Sequence, residues 1–217
     1  MLPKEKHITV SRTARYFTLG ELSQSTKDIW IVLHGHRQLA GDFINIFNEL
    51  AVEGSFIIAP EGLMRLYIKG DYGDVGASWM TKEDRESDIN DYVKYLDKLY
   101  NEIIKPAKEK YTLKVNGLGF SQGTSTLSRW LSLGKSKIDN AVFWCGNLAH
   151  DVDYSKAENF KGTNIKLVFA DNDQYYKKDF YLTQEKILAD AGIKFETTIF
   201  SGGHEIKFYL MKECGII

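Results

Sequence analysis

Lys114 to Gly123 reads KVNGLGFSQG, and the chain continues from Thr124 to Leu133 as TSTLSRWLSL. The first seven residues have the apolar, β-leaning character of a buried strand, and Gln122 to Leu133 carry a helical pattern that ends near Gly134. Strand and helix are therefore joined through Ser121 alone, at the centre of GFSQG. A corner that tight strains the backbone, and side chains at the flanking positions would collide, which accounts for Gly119 and Gly123. Such a corner lifts the serine hydroxyl out at the carboxyl end of a sheet, where open α/β sheets place their ligands.

Working outward, DIWIVLH (28–34), SFIIAP (55–60), NAVFWC (140–145), NIKLVFA (164–170) and IKFETTIF (193–200) read as further strands. Helical patterns lie between them, over about 42–52, 84–104 and 178–191. In the second of these, Ile89, Tyr92, Val93, Leu96, Leu99 and Ile103 recur at helical spacing behind an acidic first turn. HITV (7–10) and ARYFT (14–18) are expected to form an N-terminal strand pair, and His204 is expected to open the C-terminal helix. Strands alternating with crossover helices predict a mainly parallel central sheet covered by helices on both faces. With no repeat, low-complexity tract or linker, residues 1–217 are expected to form one domain.

Composition narrows the class. The chain has 217 residues, 43% hydrophobic and 26% charged, which is ordinary for a globular protein. Its net charge of -1 supplies no overall attraction to nucleic acid or an anionic membrane. The N-terminus MLPKEKHITV lacks the apolar core of a signal peptide, and no stretch suits a membrane span, so a cytoplasmic protein without an integral membrane segment is expected. Cys145 and Cys214 do not make a disulfide framework, and Cys145, in the apolar run AVFWC, reads as a small core residue.

A serine hydroxyl becomes a useful nucleophile only when a base removes its proton, and that base must itself be oriented. On a strand–turn–helix corner of this kind, the partners are expected in the chain order serine, acid, histidine. Asp171 and Asp173 follow the strand NIKLVFA, and His204 follows the last strand in SGGH. Spacing leaves both aspartates open as the acid, since either could instead cap the next helix. The oxyanion of an acyl-transfer reaction also needs two backbone N–H donors. Gln122 and His36, the latter in the loop His34-Gly35-His36-Arg37, are the expected pair. His34 and His36 flank a single glycine with no cysteine or paired carboxylate to complete a ligand set, so neither a metal nor another cofactor is expected.

IVLHGHRQLAGDF, GFSQG, VFADNDQYY and SGGHEI together resemble the phospholipase/carboxylesterase group of α/β-hydrolases, which includes acyl-protein thioesterases. The resemblance runs from about Asp28 to the C-terminal helix. It implies an α/β-hydrolase fold, and no long insertion in the sequence suggests a separate cap domain. It aligns FADND with the family pattern H-G-x-x-D, which favours Asp173 over Asp171, and matches Ser121, His204, His36 and Gln122 to their family positions. Ser78-Trp79 resembles the family's W-F-D segment, with Met80 and Thr81 in place of its aromatic and aspartate. Arg37 stands where glycine is frequent, Gln174-Tyr175-Tyr176 replaces an apolar-proline stretch, and Thr124-Ser125 replace small apolar residues. These departures leave the three catalytic positions intact but do not imply a large lipid-type acyl channel.

The expected activity is serine-dependent hydrolysis of an ester or thioester on a small-molecule acyl substrate, with Ser121, Asp173 and His204 catalytic. The same residues would also serve a peptidase, an amide hydrolase or a carbon–carbon hydrolase, and a non-catalytic binding protein is the remaining alternative. Trp79 and Tyr175 are the expected substrate contacts, within a wider set of aromatics that includes Tyr72, Trp144 and Tyr176.

Overall fold

The computed structural model describes residues 2–217. The strands are β1 (Tyr16–Leu19), β2 (Asp28–Leu33), β3 (Phe56–Pro60), β4 (Met64–Tyr67), β5 (Val75–Ser78), β6 (Lys114–Phe120), β7 (Asn140–Trp144), β8 (Asn164–Ala170) and β9 (Phe195–Phe200). The α-helices are α1 (Ala40–Phe43), α2 (Asn48–Val52), α3 (Arg85–Leu99), α4 (Lys105–Lys110), α5 (Gln122–Leu133), α6 (Glu158–Lys161), α7 (Lys178–Asp190) and α8 (Phe208–Glu213).

Seven strands form one sheet in the order β1-β3-β2-β6-β7-β8-β9, and β4 and β5 form a separate hairpin. β1 runs antiparallel to β3, and every other neighbouring pair in the large sheet is parallel. Both faces of that sheet are buried, which explains why β2, β3 and β6 read as nearly continuous apolar runs. Successive side chains point to opposite faces. Ile29, Ile31 and Leu33 join Tyr92, Leu96 and Trp130 in one core cluster, while Trp30 and Val32 join Phe43, Phe47 and Met211 in the other.

The strand order locates the site. From β2 the chain steps to β3 on one side, then crosses back to β6 on β2's other side. Connections thus leave β2 and β6 in opposite directions, opening a crevice beyond their carboxyl ends, the place where α/β sheets bind ligands. His36 follows β2 and Ser121 follows β6, so both lie at this switch point.

The structure departs from the sequence reading in several places. Residues 7–10 form no strand; β1 pairs instead with β3 through Tyr16–Pro60 to Leu19–Ile57. The helix expected over 42–52 is broken into α1, a 3-10 turn at Ile44–Phe47, and α2. The helix expected to stop at 104 runs on through a π turn at Tyr100–Ile104 into α4. That turn shifts the hydrogen-bond register just ahead of Pro106, which has no N–H and whose ring crowds the carbonyl one turn back. His204 lies in a loop, and α8 begins only at Phe208. No described helix is long and apolar enough to cross a membrane.

Candidate active site

Ser121 sits between β6 and α5 with φ 55° and ψ -117°, a conformation that side-chain-bearing residues rarely adopt. Two backbone bonds fix it: its N–H donates to Trp144 O at 3.0 Å, and its carbonyl accepts from Thr124 N–H at 3.0 Å. The surrounding glycines are steric requirements. A Cβ at Gly119 would meet the Gly123 backbone, one at Gly123 would meet the Leu33 carbonyl, and one at Gly146 would meet the Ser121 carbonyl. Strain that the surroundings over-determine in this way points to a function for the residue that carries it.

The loops after β8 and β9 bring an acid and a histidine together. His204 Nδ1 lies 2.8 Å from Asp173 Oδ2, with the two side chains 10% and 1% exposed. A carboxylate can only accept, so the imidazole proton sits on Nδ1 and the Nε2 lone pair is left available. The other carboxylate oxygen accepts from Tyr175 N–H at 2.7 Å and Tyr176 N–H at 3.2 Å. Asp171 does something else: it accepts from Gly202 N–H at 3.0 Å and so ties the two loops together. The His204 ring packs on Phe120, the residue before Ser121, at a centroid distance of 5.1 Å. No hydrogen bond joins Ser121 to His204 among the described residues; such bonds often tighten only when substrate is bound.

Cys145 is buried as expected for a core residue, but it also borders the acid. Its sulfur lies within 4.8 Å of the Asp173 and His204 ligand atoms. Burial first, then the Asp173 charge, pushes its thiol pKa up, which keeps the sulfur protonated and unreactive.

The loop after β2 is held from three sides. Gly35 N–H donates to Gln38 Oε1 at 2.7 Å, and a Cβ at Gly35 would lie 3.1 Å from Ser121 Cβ, so glycine lets the loop approach the serine. His34 is fully buried, its Nε2 accepting from Gly62 N–H at 3.0 Å and its Nδ1 facing Gly35 O at 2.8 Å. Burial pulls its pKa down to about 4, so the ring is neutral at pH 7. The β4–β5 hairpin, which the sequence reading missed, clamps the third side. Arg37 N–H donates to Ala77 O at 2.8 Å, and Ser78 Oγ lies 3.2 Å from His36 Nδ1. The Gln122 side chain completes the clamp by bonding Trp79 N–H and Met80 O, each at 3.1 Å. Burial, with Arg37 contributing, also holds the His36 imidazole below its usual pKa. The backbone N–H groups of His36 and Gln122 donate to no protein acceptor among the described residues.

A cleft of about 260 Å³ opens beside Ser121, bordered by His36 and Gln122. Of the aromatics expected to touch substrate, only Tyr176 lines it. Trp79 is 1% exposed and lies behind the loop after β2, its ring stacked on His34 and its indole N–H donating to His34 O at 2.9 Å. Tyr175 stands edge-on to His204 at 4.8 Å and is largely exposed. Arg85, Arg129, Asn147 and His150 border the cleft, and the sequence reading singled out none of them for function. One signal was available: Gln122, Ser125 and Arg129 recur at helical spacing on the face of α5 that begins at the elbow, the tight corner at Ser121.

No protein-family model matches the sequence, and no curated protein matches it. Solved structures do match. A carboxylesterase from Mesorhizobium loti superposes with a TM-score of 0.72 at 17% identity, covering 92% of this chain and 93% of that one. Zea mays acyl-protein thioesterase 2 gives 0.71 at 16% identity, covering 94% and 97%. The fold is that of the α/β-hydrolases. A Bacillus cereus carboxylesterase of the same architecture gives 0.67 at 14% identity, covering 92% and 91%.

Proposed function

We propose that this protein is a serine hydrolase that cleaves a carboxylic ester or thioester through an acyl-enzyme. The observation that carries this reading is the 2.8 Å contact between His204 Nδ1 and Asp173 on loops that flank the strained Ser121 corner. The names of the structural neighbours, two carboxylesterases and a thioesterase, agree with it.

In this mechanism His204 Nε2 takes the Ser121 proton as the serine oxygen attacks the substrate carbonyl. The N–H groups of His36 and Gln122 receive the developing oxyanion, for which α5 contributes the positive end of its dipole. The acyl C–O or C–S bond breaks, and the imidazolium passes its proton to the leaving group. Water, deprotonated by the same imidazole, then attacks the acyl-enzyme and releases the acid. Asp173 holds the tautomer and stabilises the imidazolium. Trp79 acts from behind the site by supporting His34, and Tyr175 flanks the base.

The test is labelling by a fluorophosphonate probe together with hydrolysis of short esters and thioesters. Wild type should be labelled and active. Ser121→Ala should lose labelling, and its kcat should fall by several orders of magnitude. Near-normal hydrolysis by Ser121→Ala would refute the proposal.

A further inference from the structure

We propose that the cleft beside Ser121 selects a small ester that carries a free carboxylate, gripped by Arg85 with the Arg129–Asp151 pair behind it. This rests on Ser121 as the nucleophile, and it concerns what that site accepts.

Ligand pockets are mostly apolar, with a few polar groups for orientation. This cleft is about evenly polar and apolar: beside Met80 and Tyr176 its lining includes two arginines, and none of the lining residues is acidic. Two guanidinium groups reach it from different helices. Arg129, on α5, is 1% exposed, and its Nε donates to Asp151 Oδ1 at 2.9 Å. Arg85, at the start of α3, donates from one terminal nitrogen to the other Asp151 oxygen, also at 2.9 Å. One carboxylate therefore serves two guanidiniums, and the cluster keeps a net positive charge at the cleft wall. A structural role for Arg129 would require only Asp151, since an unpaired buried charge is what costs stability. Arg85 adds a second cation whose remaining N–H groups have no protein acceptor among the described residues. Its side chain is 28% exposed, and its planar fork suits bidentate capture of a carboxylate.

Size points the same way. About 260 Å³ lies below the ~300–1,000 Å³ of pockets for drug-sized ligands. A cleft of that size suits a short substrate. A short dicarboxylic monoester fits both the volume and the charge: its ester carbonyl meets Ser121 while its free carboxylate meets Arg85. Hydrolysis consumes one water and releases the dicarboxylate and the alcohol.

The test compares monomethyl glutarate with dimethyl glutarate, which offers the same ester without the charge. Wild type should favour the monoester in kcat/KM by about tenfold or more, the range of a charged hydrogen bond. Arg85→Gln should cut that ratio at least fivefold, and raising NaCl from 20 to 300 mM should erode it in wild type. A wild-type ratio at or below one, or a ratio unchanged in Arg85→Gln, overturns the proposal. A second arm needs no turnover: glutarate should raise the Tm of wild type and Ser121→Ala but not of Arg85→Gln. If neither ester is cleaved and the probe does not label Ser121, the hydrolase reading fails while this arm still decides the anion site. No shift with glutarate, or a larger one with inorganic phosphate, overturns the carboxylate assignment.

Discussion

His34 offers a stability test that depends on one buried ring. It is fully buried, stacked on Trp79, and uses both ring nitrogens on the backbone of Gly35 and Gly62. Protonation would put a hydrogen on Nε2, which accepts from Gly62 N–H, and would place a charge where water cannot reach. Burial is the main reason its pKa falls from 6.5 to about 4; the Gly35 carbonyl and Glu61 pull it back up, and His36 lowers it further. The folded state thus binds fewer protons than the unfolded state between these two values, so stability rises with pH across that window. The contribution is complete above the unfolded value and is lost as pH falls toward the folded one.

With 2.303RT near 1.36 kcal/mol per unit, this ring alone should remove about 2 kcal/mol between pH 7 and pH 5, and roughly 3 kcal/mol by pH 4. Carboxylates titrate in the same range, so the measurement is a difference between two proteins. Urea unfolding of wild type and His34→Gln should be followed from pH 7 to pH 4. Glutamine keeps an acceptor for Gly62 N–H and cannot titrate. The stability gap between the two should close by about 2 kcal/mol on reaching pH 5, a relative midpoint shift of about 1 M urea. Curves that stay parallel across the whole range would refute the reasoning, because they would mean His34 is neither desolvated nor held neutral by the fold.

Two other substitutions separate roles that lie close together. Asp173→Asn should lower kcat about 10⁴-fold with little loss of stability, since an amide facing Nδ1 favours the wrong tautomer. Asp171→Asn should leave kcat/KM close to wild type; a large loss there in steady-state kinetics would reassign the acid. Gly123→Ala should gain about 1 kcal/mol of helix propensity, but its Cβ meets the Leu33 carbonyl, so urea unfolding should report a net loss of about 2 kcal/mol. An unchanged or raised midpoint would mean that the elbow is looser than its packing indicates.

The sequence made the sheet legible because parallel strands buried on both faces leave unbroken apolar runs, and DIWIVLH, KVNGLGF and NIKLVFA are of that kind. It made the elbow legible because only glycine fits at 119 and 123. It could not separate Asp171 from Asp173 by spacing alone. Two residues of loop decide which carboxylate reaches His204 and which reaches Gly202, and that depends on how two loops meet in space. The N-terminal pairing failed for a similar reason: β1 finds its partner in β3, about 40 residues downstream, and nothing local in HITV reports that.

The β4–β5 hairpin escaped notice because its strands are short and half-exposed, with Gly76 inside β5 weakening any strand signal. That glycine has a purpose visible only in three dimensions: a Cβ there would collide with the backbone of Arg37. The hairpin must press against the loop after β2 for Ala77 to bond Arg37 and for Ser78 to reach His36, and a larger residue would hold the two apart. The same division runs through the cleft. Residues proposed to perform acyl transfer sit at strand ends, where chain order and glycine spacing mark them. Those proposed to choose the substrate, Arg85 and Arg129, come from helices α3 and α5 and meet only through Asp151. Chemistry and selectivity can therefore change independently here. Replacing Arg85 alters the charge that the cleft presents without touching the strained turn or the two loops that hold Asp173 and His204.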